Sequence, residues 1–402
     1  MTADPVNQAM APMMIPLLAL GRVAVPGRGS RIDVPARRDQ RYTRNKLRMM
    51  SSSSSDFGTL EKSVLALSAK QIRDFFSKNT GATQEECNQL AQQIIGQPVH
   101  PTPVQGVTSY TITAANDAGD SVVQFRNGDN ALDIALFACI ERVYSSFMPH
   151  HQYYGTLGAL HVYRIAYVGG KSVYFALKEL QSNQCELLQR TVGDLARFFA
   201  EAWHNRSAWA NRPASMPRTD SNVLHADYLS KLKQLSEGLP KRFSPTVDYL
   251  ISELPRLFDG HWPLVPHHKD LIENNIHVDP ATGSVTGICD WMDTTDGPFG
   301  TTIWSLDAIL GTRSGSGRRQ YYPNHDNLRD LFWAEFRSAI GPSTASEEFM
   351  AVVDVARQVG LFLDNGFVYT SETTWSPVAE GSYELNYLES MSLGLLSSSI
   401  RS

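Results

Sequence analysis

Little in this chain suggests covalent or metal stapling. Its four cysteines, Cys87, Cys139, Cys185 and Cys289, stand far apart with no CxxC or CxxH spacing. That spacing excludes a disulfide framework or a zinc ribbon and fits a reducing, cytoplasmic compartment. No uninterrupted apolar run approaches the ~20 residues needed to cross a bilayer, the longest near the N-terminus being Met13 to Leu20, so no membrane partner is expected. No G-x-S-x-G elbow is present, which leaves a serine hydrolase of that type without its nucleophile. Charge is modest, at 19% of residues and a net of −5 over 402 residues. This is globular chemistry with room for two packed units or one protein of two lobes.

What charge there is divides unevenly. Residues 1–50 carry nine basic and three acidic side chains, a balance of +6 that leaves −11 for the remainder. The acidic body repels nucleic acid, and none is expected as a partner. The first 55 residues hold Pro5, Pro12, Pro16, Pro26 and Pro35 and end in the serine run Ser51–Ser55. Without helical or strand periodicity they read as a disordered extension. A tail, an Arg-rich presequence and sequence upstream of a start at Met49 or Met50 all remain open.

Helical spacing begins near Thr59 and stops at Asn79-Thr80-Gly81. A second helix follows Thr83, with Glu86 three residues on as a capping box requires, and closes near Gly96. The segments Tyr110–Thr113, Asp120–Arg126 and Leu160–Val168 are β-branched and aromatic and predict strands, with an apolar helical stretch over Ala131–Phe147 between the last two. Beyond Gly170 the periodicity predicts helices over 192–204, 228–237, 247–258, 327–340, 347–365 and 387–395, interrupted by one β-rich segment, Asn275–Trp291. The expected domains are an N-terminal extension (1–55), a small antiparallel-sheet lobe with leading helices (56–170), and a larger, mainly helical lobe (171–402).

The β-rich interruption carries the chemistry. Asn275-Ile-His-Val-Asp279 and Val285-Thr-Gly-Ile-Cys-Asp290 flank the turn cluster Asp279–Ser284 and predict an antiparallel hairpin. With the turn centred near 281–282, Asn275 falls opposite about residue 288, so Asn275 and Asp290 emerge together at the open end. A carboxylate and an amide oxygen at one point suit Mg²⁺, which takes few protein ligands and keeps its other positions for water and phosphate oxygens. Asp270, in the loop entering the hairpin, is placed to accept a hydroxyl proton.

His268-x-Asp270-x-x-x-x-Asn275, followed by Ile288-Cys-Asp290-Trp291, resembles the catalytic and metal-binding segments of the aminoglycoside phosphotransferase/choline kinase family, relatives of protein kinases. Gly297-Pro-Phe-Gly300 with Trp304, Leu195–Trp203 and Gly360–Phe367 are similar to fungal members, and the resemblance spans about residues 85–395. It implies an α+β, two-lobed protein-kinase-like fold and transfer of the ATP γ-phosphate to a hydroxyl of a small molecule, with ATP and Mg²⁺ as cofactors. It further implies Asp270 as base, His268 as a loop-shaping residue, and Asn275 and Asp290 as metal ligands. In the first lobe, Gly106 to Ser109 looks like the loop over the nucleotide phosphates, and Arg126 stands where a strand lysine usually touches them. Its acidic partner from the crossing helix is Asp133 or Glu141, with Glu141 preferred. A monomer or weak dimer is expected.

Blander readings compete at several positions. His267, His268, His277 and Cys289 lack a recognised zinc spacing. Gly170-Lys171-Ser172 is no Walker motif, because Ile165 occupies the first glycine position. Trp291 and Trp304 read as core, Asp307 as a helix support, and Asp293 and Asp296 as substrate-facing or solvated. The alternative function is a catalytically inactive kinase-like nucleotide-binding or interaction module, favoured by Arg126 and the glycine-poor loop and opposed by the intact Asp270, Asn275 and Asp290 set.

Overall fold

The two leading helices form where the apolar spacing predicts. In the computed structural model, which describes residues 57–115, 119–369 and 375–399, they are α1 (Phe57–Lys78) and α2 (Gln84–Ile95). The extension expected over 1–55 and the turn at Asn116-Asp117 lie outside the described residues. The capping box of α2 is complete: the Thr83 amide donates to Glu86 Oε2 (2.7 Å) and the Glu86 amide to Thr83 Oγ1 (3.2 Å). Gly96, left-handed at φ 80°, closes the helix.

Both helices pack on one face of an antiparallel sheet of five strands, in the order β1-β2-β3-β5-β4: β1 (Val99–Pro101), β2 (Ser109–Ala114), β3 (Ser121–Arg126), β4 (His151–Leu157) and β5 (Leu160–Ala166). Phe75 and Cys87 from the helices bury against Tyr110, Ile112, Val123 and Phe125, and the Tyr110 hydroxyl donates to Asn88 Oδ1 at 2.7 Å. Sequence reading missed the two edge strands for different reasons. β1 is three residues ending in proline, and β4 is mostly exposed and bulged next to Gly155, so neither shows apolar alternation. The predicted Ala131–Phe147 helix contracts to α3 (Ile134–Glu141), capped by Asp133, whose carboxylate accepts from the Leu136 amide (2.9 Å). Val143, Tyr144 and Phe147 continue as buried turns.

The helical lobe follows. After the short β6 (Lys171–Ser172) come α4 (Ser182–His204), α5 (Ser221–Gly238) and α6 (Ser244–Glu253), and near the C-terminus α7 (His325–Ile340), α8 (Glu347–Asn365) and α9 (Tyr383–Ser399). On α7, Leu328, Phe332, Phe336 and Ile340 recur every four residues and are all buried, and Phe332 meets Phe199 of α4 at 6.0 Å. This core is continuous with the inner face of α3 and the hairpin, while a second core gathers α5, α6, α8 and α9. The Lys171-Ser172 pair is a strand edge, not a phosphate loop: Lys171 lies opposite Val278 and its ammonium pairs with Glu179 at 3.0 Å. The described residues all fall within one contact unit, Ala36–Ser402, and form an α+β fold of two lobes. Among them no helix is long and apolar enough to cross a membrane.

Candidate active site

Six short strands lie between α6 and α7: β7 (Leu264–His267), β8 (Ile276–Val278), β9 (Val285–Ile288), β10 (Thr295–Pro298), β11 (Gly311–Arg313) and β12 (Arg319–Tyr321). β8 and β9 form the predicted hairpin, but a bulge between His277 and Val278 advances the register by one, so Ile276 faces Ile288 and the Cys289 amide donates to the Asn275 carbonyl (2.8 Å). Asn275 therefore sits opposite Cys289, one residue beyond the expected partner, which brings it next to Asp290.

The loop from His268 to Asn275 is held from inside. His268 is buried; its Nε2 lies 2.8 Å from the Cys289 carbonyl and its Nδ1 accepts from the Asp270 amide at 3.2 Å. Those two contacts define a neutral ring with the proton on Nε2. The ring meets Trp291 edge-on at 4.7 Å, and Trp291 in turn packs on Tyr144 at 5.0 Å, whose hydroxyl donates to the Pro266 carbonyl (2.9 Å). One histidine thus links the loop carrying Asp270 to the strand end carrying Asp290, and the aromatic cluster behind it fixes both.

Asn275 Nδ2 donates to the Asp270 carbonyl (2.8 Å) and lies 3.4 Å from its Oδ2. With the amide hydrogens so committed, Asn275 Oδ1 is left as an acceptor facing away from Asp270. Asp270 is 7% exposed, whereas Asp290 is exposed and left-handed at φ 64°, a conformation that non-glycine residues rarely adopt. An amide oxygen and a strained carboxylate are hard donors of the kind Mg²⁺ takes in small number. Among the described residues no group of three or more His, Cys, Asp or Glu side chains converges as a self-sufficient metal cage.

In the small lobe, Ser109 opens β2 directly opposite Arg126, and Gly106 lies in the exposed bend before it, where an added Cβ would come within 3.0 Å of Ser109 Oγ. Arg126 is 6% exposed; its Nε donates to Gln124 Oε1 (2.6 Å) and its Nη1 reaches Thr108 Oγ1 (3.4 Å). Burial pulls its pKa below the usual arginine value, while the carboxylates of Asp290 and Asp293 oppose that shift. Glu141, expected as the partner of Arg126, ends α3 in an exposed pair with His150 at 3.0 Å. Asp133 is taken by its cap. The helix is too short to deliver an acid from its middle turns, so the negative field at Arg126 comes from the hairpin side.

Asp293 and Asp296 separate. Asp296 is buried, accepting from Arg212 Nη2 (2.8 Å) and Trp209 Nε1 (2.7 Å), and is structural. Asp307 braces the helices as expected, bonded to Arg329 at 2.7 Å and 3.7 Å from Arg357.

On its other side Asp270 opens into a cavity of about 220 Å³ between α5, α8 and α9, lined also by His267, Arg313, Asp364, Glu384 and Tyr387. Sequence reading missed this pocket. Asp270, His267 and the Gly360–Phe367 segment with Asp364 are singled out in the sequence for other reasons, whereas Arg313 and Glu384 carry no local signal because tertiary packing alone brings them to the cavity.

The profile of the Phosphotransferase enzyme family matches residues 142–338, from the end of α3 to α7. This match bears out the resemblance drawn from His268, Asp270, Asn275 and Asp290. A search of curated proteins returns no match. Among solved structures, a candidate aminoglycoside phosphotransferase from Ralstonia eutropha JMP134 aligns over 79% of this chain and 98% of its own at 13% identity and a TM-score of 0.50. At that identity the likeness speaks to fold, which is protein-kinase-like. The GDP complex of an aminoglycoside 2′-phosphotransferase-IIIa (13% identity, 79% and 100% covered, TM-score 0.44) and a choline kinase from Streptococcus pneumoniae (12%, 77% and 99%, 0.41) are further neighbours.

Proposed function

With the phosphotransferase family match over residues 142–338 as premise, we propose that the protein transfers the γ-phosphate of ATP to a hydroxyl of a small molecule. The small lobe, 56–170, would hold the nucleotide through Gly106, Ser109 and Arg126, and the larger lobe, 171–402, would carry the chemistry. The acceptor hydroxyl enters the cavity beside Asp270, whose carboxylate takes its proton as the oxygen attacks the γ-phosphorus and the bond to the β–γ bridging oxygen breaks, releasing ADP. Asn275 orients that carboxylate from one side and His268 holds its backbone from the other. Asn275 Oδ1 and Asp290 would hold Mg²⁺, which when bound neutralises phosphate charge. Positioning and charge neutralisation account for most of the rate in such transfers.

The observation that supports this reading most is the single bonded unit formed by His268, Asp270 and Asn275, with Asp290 at its edge and an open cavity at Asp270. Asp270→Asn should lower turnover by at least ~10² while nucleotide still binds; unchanged turnover removes Asp270 as base. The buried, hydrogen-bonded Arg126, with Glu141 turned to His150, favours a second reading, a nucleotide-binding module without turnover. Mg²⁺-dependent ADP release by the wild type, lost in Asp290→Asn, decides for the enzyme.

A further inference from the structure

Two polar groups in the cavity beside Asp270 have bonding capacity left over. The first is His267, 4% exposed. The Thr301 hydroxyl donates to the Pro298 carbonyl (2.9 Å), so its 3.4 Å contact with His267 Nδ1 is made by the ring N–H, and Nε2 keeps its lone pair. That buried Nε2 has no hydrogen-bond partner and lies 4.0 Å from Asp364 Oδ2, which already accepts from Trp304 Nε1 at 2.9 Å. A buried lone pair such as that of His267 Nε2 calls for a donor, and a cationic one would sit well beside the Asp364 carboxylate.

The second is Arg313. Its guanidinium carbon lies over the Tyr387 ring, 3.4 Å from the centroid, with the Tyr383 ring at 5.6 Å. Stacking occupies one face of the guanidinium and a hydrogen bond to the Tyr387 side chain takes part of its N–H edge, which leaves the remaining in-plane N–H groups for a planar anion. Among the described residues it makes no ion pair with a carboxylate within 4.0 Å, whereas the nearby Lys231 is matched by Asp227 at 2.6 Å. The same cavity holds Asp270, Asp364 and Glu384, which would repel an acceptor that is only anionic.

We propose, resting on the phosphotransferase reading, that the acceptor is a hydroxylated zwitterion. Its carboxylate sits against the remaining Arg313 N–H groups, its ammonium lies between His267 Nε2 and Asp364 Oδ2, and its hydroxyl points to Asp270. The assignment makes His267 and Arg313 specificity-determining residues.

ADP release is measured with Mg·ATP and two acceptor series: serine and homoserine, their decarboxylated counterparts ethanolamine and 3-aminopropanol, and their deaminated counterparts 3-hydroxypropionate and 4-hydroxybutyrate. Wild-type kcat/KM should favour a zwitterion over both counterparts by about tenfold or more, the scale of one charge-assisted hydrogen bond. In Arg313→Gln the ratio of zwitterion to amino alcohol should collapse by about the same factor, with partial return in Arg313→Lys. His267→Phe should lower the ratio of zwitterion to hydroxy acid. Equal use of the counterparts, or an unchanged ratio in Arg313→Gln, overturns the proposal. So does a panel with no turnover from a protein that still binds Mg·ATP, which leaves phosphoryl transfer standing. Failure to bind Mg·ATP at all takes down the phosphotransferase reading and this assignment with it.

Discussion

Replacing His268 with alanine tests whether one buried ring holds the loop bearing Asp270 to the strand end bearing Asp290. The substitution strands two backbone groups, the Cys289 carbonyl bonded at 2.8 Å and the Asp270 amide bonded at 3.2 Å, in a pocket where the ring is 3% exposed. A buried polar group left unpaired costs about 1–3 kcal/mol, and losing the edge-on contact with Trp291 adds about 0.5–1.5 kcal/mol. Water entering the vacated site and loop relaxation recover part of this, so a net loss of about 2–4 kcal/mol is expected. Urea unfolding followed by tryptophan fluorescence reads the stability, and ADP release reads the site. Because Asp270 loses the bond to its own amide, turnover should fall by more than stability alone accounts for, at temperatures where the variant is fully folded. A loss below about 1 kcal/mol with normal turnover would refute the bridging role.

Other substitutions separate further claims. Asp290→Gly relieves a left-handed backbone at φ 64° and should raise the unfolding midpoint, by up to about 1 kcal/mol of stability, while abolishing Mg²⁺-dependent turnover; a lower midpoint would argue against strain there. Asp307→Asn leaves Arg329 and Arg357 buried without their shared carboxylate and should cost about 3–5 kcal/mol, against under about 1 kcal/mol for the exposed Asp326→Asn, both by denaturant titration. Burial lowers the pKa of His151, which packs edge-on against Phe137 at 4.7 Å, to about 4. The unfolded chain then binds the extra proton between pH 6.5 and 4, so stability should be full above 6.5 and fall by about 3 kcal/mol as pH drops to 4. His151→Phe should flatten that part of the pH profile, and an unchanged slope would assign it to other groups.

The parts of the molecule legible from sequence are those where local chemistry and final structure agree. The Thr83–Glu86 box, the four-residue spacing on α7 and the Asp279–Ser284 turn each act within a few residues, and each appears where expected. The edge strand β4 carries no apolar alternation because most of its residues are exposed and its half-buried His151 is polar, and the bulge at His277 has no local signature. In the site, motif spacing brought out Asp270, Asn275 and Asp290. Spacing said nothing of which acid faces Arg126, since that depends on where α3 stops, and nothing of Arg313 and Tyr387, which are 74 residues apart and meet only through packing of α9.

Gly360 lies in the middle of α8 with the Thr301 carbonyl pressed so close that an added Cβ would stand 1.7 Å from it. That bare helix surface lets the turn after β10 lie against α8, and the same turn leads into Trp304, which bonds Asp364 one helical turn further on. One wall of the cavity is therefore locked by close backbone contact to the framework that carries the Asp270 loop, whereas the opposite wall, on α9, is held through side-chain packing in the second core. Changes in the shape of the cavity therefore meet less resistance on α5 and α9; on the α8 wall, even a single methyl group at Gly360 would move the turn and the loop together.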